Sequence, residues 1–136
     1  MVVPLRKVHD WDTVKGFSQA IVLHLAKTIP QRFVAKSGPS NRIGKIFIDY
    51  LRNTTGATTV CAWSARARPG LGISVPVNWR ELKSLTSAAH WSVRTVHTRL
   101  DKGNAPWSGY HQTATSLTAA MKLLKYKHKP AKPTLR

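Results

Sequence analysis

The chain has 136 residues, 22 Lys plus Arg against 5 Asp plus Glu, and a formal net charge of +17. That length suits one domain or part of a larger one, and the charge calls for a polyanionic partner, nucleic acid ahead of anionic lipid. No apolar stretch reaches the roughly 18 residues of a membrane-spanning helix and no signal-peptide pattern is present, which excludes those classes and gives a reading of a soluble, intracellular protein without a membrane partner.

In chain order, "MVVPL" at residues 1–5 reads as a strand. In "TVKGFSQAIVLHLAKTI", Val14, Phe17, Ile21, Leu25 and Ile29 recur at three- and four-residue steps, which predicts a helix with one apolar face, capped by Asp12 and closed by Pro30. "AKSGPSNR" is a loop by its Gly, Pro, Ser and Asn content. A hairpin is expected next, with "KIFIDYL" and "ATTVCAWSA" as its strands and "RNTTG" as its turn. "RARPGLGISVPVN" carries too much Gly and Pro for regular structure, apart from an extended piece around Ile73 to Val75. Asn78 is expected to cap a short helix at "WRELKSL", and a second helix fits "SVRTVHTRL" with Val93, Val96 and Leu100 on one face. One or two more helices fit between Trp107 and Leu124, and the basic segment 125–136, with its two prolines, reads as a disordered tail. This order predicts an α+β fold, an antiparallel sheet with packed helices.

Asp49 lies inside the apolar run "KIFIDYLRN". On a strand it shares a face with Phe47 and Leu51, so a positive partner is required, because an unpaired buried charge costs several kcal/mol. Arg52, Arg66 and Arg68 are the candidates for a structural ion pair; a divalent metal ion with substrate phosphates is the functional alternative. The histidines His24, His90, His97 and His111 show no ligand spacing, and the lone Cys61 builds neither a disulfide nor a zinc site and reads as a core residue. Trp11, Trp63, Trp79, Trp91 and Trp107 could stack on bases, but each has apolar neighbours and core packing is the expectation for most. Collectively the basic residues predict salt-sensitive, largely sequence-independent attraction to nucleic-acid phosphates.

"KIFIDYLRN", "GATTVCAWSARARPG" and "VPVNWREL", followed by "SAAHWSVRTVHTRL" and "PWSGYHQTATSLTAAMKLL", resemble the polymerase (primase-like) domain of bacterial DNA ligase D, of the archaeo-eukaryotic primase superfamily. The resemblance runs from about Met1 to about Leu124 and implies a partial primase-like polymerase domain acting in non-homologous end joining. It implies that Asp49 is one of three carboxylates holding two divalent metals, Mn or Mg, and that Arg52, Arg66 and Arg68 hold the incoming nucleotide triphosphate. It further implies DNA as a partner and a cytoplasmic, nucleoid-associated location. The family has Tyr where Trp63 stands, Leu at Ala65, and acids in the helix that carries Arg80.

The family's other two metal-binding aspartates and a Ser and His motif stand upstream of the matched region and have no counterpart in these residues. Asp10 and Asp12 have a pair's spacing but sit in "HDWD", which the family uses to enter a helix. The expectation is a C-terminal portion of the domain, residues 1–124, inactive on its own and completed by a separate N-terminal half or accompanied by a ligase chain. The alternative is a non-catalytic basic nucleic-acid-binding remnant that keeps the hairpin as structure.

Overall fold

The helix predicted after "HDWD" is the longest element of the computed structural model, which describes residues 2–127. The chain divides into two units, one of Met1–Thr58 with Ala114–Arg136 and one of Thr59–Thr113. No helix among the described residues is long and apolar enough to cross a membrane.

In the first unit, α1 (Trp11–Thr28) is capped by Asp10 rather than by Asp12. The Asp10 backbone is extended and its Oδ1 accepts from the Thr13 amide at 2.7 Å, while Asp12 lies in the first turn, where negative charge meets the positive end of the helix dipole. The Ile29 amide donates to Leu25 O at 2.8 Å and Pro30 prevents continuation. The enclosed positions are Thr13, Phe17 and Val22, whereas Ile21 is exposed, so the buried stripe is rotated from the predicted one.

β1 (Phe33–Val34) and β2 (Ile46–Phe47) pair in parallel, with Phe33 opposite Ile46 and Val34 opposite Phe47. The expected antiparallel hairpin between residues 45–51 and 57–65 is absent. The chain between β1 and β2 turns through a 3-10 helix, Pro39–Arg42, and a left-handed Gly44, and returns in the same direction as it left. The residues expected as the second strand find other partners, described below. The segment "MVVPL" contributes one parallel bridge, Leu5 with Thr115, supported by bonds from Arg6 N to Thr115 O and from Thr115 N to Pro4 O. Next to it the Leu117 amide donates to His9 Nε2 at 3.3 Å.

α2 (Thr118–Leu123) closes the first unit. Lys125 adopts the left-handed conformation, with φ of 52°, and the amides of Lys125 and Tyr126 donate to Lys122 O and Met121 O, which satisfies the last carbonyls of the helix. Packing therefore runs past Leu124: the Tyr126 ring lies 5.4 Å from that of Phe17, and its hydroxyl occupies the space over Gly16. The rest of the predicted tail, from residue 128, lies outside the described residues.

In the second unit, the antiparallel pairing expected further upstream forms between residues 63–66 and 72–74. Trp63 N donates to Ser74 O, Ser74 N to Ser64 O and Arg66 N to Gly72 O, and Ala65 bridges Ile73. A third segment joins on the other side, with Gly72 bridging Ser92 and Ile73 N donating to Trp91 O at 2.8 Å. Trp63 has a φ of 63°, which interrupts any longer strand there. The stretch 57–62 forms no strand, and Cys61 is exposed rather than in a core.

The short helix at "WRELKSL" is a 3-10 helix, Trp79–Ser84, entered from Asn78, whose amide donates to Glu81 Oε2 at 2.7 Å. "SVRTVHTRL" yields only the 3-10 turn Val96–Arg99, with Val93 and Leu100 exposed. The buried residue there is the charged Arg99, 3 % exposed. A further 3-10 turn, Ala105–Trp107, stands where a helix was expected to start.

Candidate functional site

Asp49 stands two residues past the end of β2, so the strand alternation that placed it among apolar side chains no longer holds. Its side chain is 39 % exposed, and no burial penalty has to be offset. Both oxygens are engaged: Oδ1 accepts from the Leu51 amide at 3.0 Å, as aspartates do in tight turns, and Oδ2 accepts from Arg52 Nε at 3.1 Å. Arg52 Nη1 in turn donates to Thr58 O at 2.7 Å, so one guanidinium closes the loop from Asp49 to Thr58. Tyr50 is tied to α1, its hydroxyl accepting from Gln19 Nε2 at 3.1 Å. Of the partners considered for Asp49, Arg52 is the one the structure brings to it, as an exposed ion pair.

Arg66 and Arg68 belong to the second unit. They flank the entry to the turn that joins residues 63–66 to 72–74, where Arg68 N donates to Arg66 O, Leu71 N donates to Arg68 O and Gly70 has a φ of 89°. Both side chains are exposed and make no hydrogen bond or ion pair with a described residue. Two guanidinium groups two residues apart, with all donors open, suit phosphate oxygens, which planar forks grip in pairs.

No group of three or more His, Cys, Asp or Glu side chains that could hold a metal ion occurs among the described residues. Asp49 keeps lone pairs beyond the two bonds it accepts and can supply one ligand. One carboxylate does not fit a two-metal centre by itself. Asp10 is committed to the α1 N-terminus.

A polar cluster that the sequence did not single out holds the second unit together. Arg99 Nη1 and Nη2 donate to Glu81 Oε1 and Oε2, the second at 3.0 Å, and Nη2 also donates to the fully buried Pro76 at its carbonyl, 2.7 Å away. The guanidinium lies over the Trp91 ring, 4.7 Å from its centroid, and Lys102 Nζ approaches Glu81 at 3.4 Å. The Arg99 bonds first, and the Asn78 amide next, hold the Glu81 carboxyl at about 2, well below its ordinary 4.5. The Asn78-to-Glu81 spacing was the available signal; nothing in the spacing of Arg99 marked it as buried. A small cleft of about 180 Å³ opens beside this cluster, between Val75, Leu85, His90 and Trp91.

Comparison with known proteins follows the same region. Residues 1–107 match the LigD primase-polymerase domain family. The chain is 53 % identical over 124 residues to the multifunctional non-homologous end joining protein LigD of Pseudomonas aeruginosa, covering 90 % of this chain and 15 % of that protein. It is 25 % identical over 130 residues to the bifunctional non-homologous end joining protein LigD of Bacillus subtilis, covering 93 % of this chain and 21 % of the relative. A LigD protein of Mycolicibacterium smegmatis is 26 % identical over 102 residues, 75 % of this chain and 13 % of that protein. The chain thus spans about a fifth or less of each of these relatives.

Proposed function

Because this chain belongs to the LigD primase-polymerase domain family, we propose that it contributes part of the nucleotidyl-transfer centre of a DNA end-joining polymerase. The observation that carries the reading is that the matched region contains Asp49, Arg52, Arg66 and Arg68, the positions that the family resemblance makes functional. In this proposal Asp49 is one ligand of a divalent metal, Mn or Mg, and the remaining carboxylates come from residues other than those described here. The metal would neutralise charge on the attacking and leaving oxygens.

The chain's own arginines bind and orient the triphosphate. Arg66 and Arg68 offer open donors, and Arg52 can move from Asp49 to a phosphate with little loss, because an exposed ion pair contributes about 0–1 kcal/mol. The partner is DNA, approached through phosphates by the +17 chain, in a bacterial cytoplasm. These residues alone are a poor polymerase, since most of the electrostatic stabilisation of the transition state is not present in them.

Extension of a primed, gapped DNA with Mn²⁺ and nucleotide triphosphates tests this. The purified chain is expected to give no extension, and a polypeptide carrying the family's aspartate pair is expected to restore it in a manner that Asp49→Ala abolishes. Extension by the chain alone, or none with a folded complementing piece, would overturn the proposal.

A second reading, a basic nucleic-acid-binding protein without chemistry, is favoured by the lack of a metal-ligand cluster among the described residues. It requires that Asp49→Ala leave DNA affinity unchanged or slightly raised.

A further inference from the structure

A 3-10 helix has three residues per turn, so its side chains fall into three rows. In Trp79–Ser84 the rows are Trp79 with Leu82, Arg80 with Lys83, and Glu81 with Ser84. Glu81 is spent on Arg99 and Lys102. That fixes which way the helix faces: Trp79 is 73 % exposed, Leu82 is 45 % exposed, and Arg80 and Lys83 are exposed. The only acid of the helix is turned to its cationic partners, leaving an outward surface of one indole, one aliphatic side chain and two cations.

An indole 73 % exposed beside two cations leaves most of its apolar face uncovered and disfavours a basic partner. It matches a partner that offers flat π-faces and negative charge together, which unpaired bases on a phosphate backbone do. Duplex DNA offers the charge but keeps its bases stacked. We propose that Trp79 is a stacking platform for unpaired bases of single-stranded DNA, with Arg80 and Lys83 contacting the flanking phosphates. The choice of DNA rests on the end-joining reading above; the stacking site rests on the helix itself.

The test is fluorescence anisotropy with labelled oligo(dT) of about 12 nucleotides and with a blunt DNA hairpin of matched charge, in EDTA and without nucleotides, so that failure of the polymerase reading leaves the result interpretable. Trp79→Ala and Trp79→Leu are expected to weaken oligo(dT) binding about tenfold while leaving hairpin binding and the salt dependence unchanged. Trp79→Phe, which keeps a π-face, is expected to bind oligo(dT) nearly as wild type does. Arg80→Ala with Lys83→Ala should weaken both ligands and lower the salt slope by about two.

Wild-type affinity for oligo(dT) in Trp79→Leu, or equal losses on both DNAs, would overturn the platform. A wild-type dimer that Trp79→Ala dissociates would assign the face to a second copy instead. Tighter binding of oligo(U) than of oligo(dT) would overturn the assignment to DNA. Far-UV circular dichroism verifies folding, and the contrast between Leu and Phe stands even if Ala fails to fold.

Discussion

Gly72 lies where the three backbone segments of the second unit meet, and replacing it with alanine sets two opposing effects against each other. An ideal Cβ there would stand 2.6 Å from the Ala88 carbonyl oxygen and 3.0 Å from Ala89 Cα. Both are backbone atoms and cannot rotate away. Gly72 does not have a positive φ, so alanine meets no dihedral penalty and gains about 0.4–1 kcal/mol by reducing the freedom of the unfolded chain. Overpacking against backbone costs about 1–3 kcal/mol. The clash wins, because neither side yields easily: Gly72 O accepts from Arg66 N, and its neighbours Leu71 and Ile73 are bonded to Val93 and Trp91. Gly72→Ala is therefore expected to lose about 1–2 kcal/mol, the middle to upper part of the difference between those terms because both clashing atoms are backbone, measured by urea unfolding followed through tryptophan fluorescence. Gly109→Ala is the control, since a Cβ there meets nothing within 4 Å. A Gly72→Ala protein as stable as wild type, or more so, would show that residues 71–74 are not seated as tightly as this geometry requires.

Three further outcomes are expected. Glu81, held at about 2 against an ordinary 4.5, stabilises the folded state fully above about pH 4.5 and loses that contribution as pH falls toward 2. Acid titration of near-ultraviolet circular dichroism should show this loss, and Glu81→Gln should lack it; parallel acid curves for the two would refute the role of the Arg99 pair. Asp49→Ala should change thermal stability by no more than about 1 kcal/mol, because its pair with Arg52 is exposed, and a larger loss by thermal melting would mean that Asp49 organises more than its own loop. Lys125→Gly should raise stability by up to about 1 kcal/mol by relieving a left-handed non-glycine residue at the end of α2; a drop in melting temperature would contradict this.

The sequence expressed α1 most clearly, because a helix states its own period in its apolar spacing. The choice between Asp10 and Asp12 as its cap was not legible, since both flank Trp11 and only the backbone path decides which carboxylate reaches the Thr13 amide. The two apolar runs at 45–51 and 57–65 carried strand propensity but no information about partners. The first pairs in parallel with Phe33–Val34, and the second turns back on residues 72–74. Asp49 with Arg52 could be anticipated from a three-residue spacing. Arg99 could not, because an arginine between Thr98 and Leu100 looks like surface until the fold places Glu81, Pro76 and Trp91 around it.

The first unit is drawn from both sides of the second: α1, β1 and β2 precede residues 59–113, and α2 with Tyr126 follows them. On a ribosome, Phe17 emerges long before the ring that covers it. The second unit can gather its own contacts during that interval, while Phe17 waits for its ring partner until Tyr126 is made. Bringing residues 16–17 and 126 together also closes a long loop across the second unit's sequence, whose entropic cost falls if the intervening segment has already condensed. Synthesis order and stability are thereby coupled, and the span between translation of α1 and of Tyr126 is when this chain has most need of a chaperone.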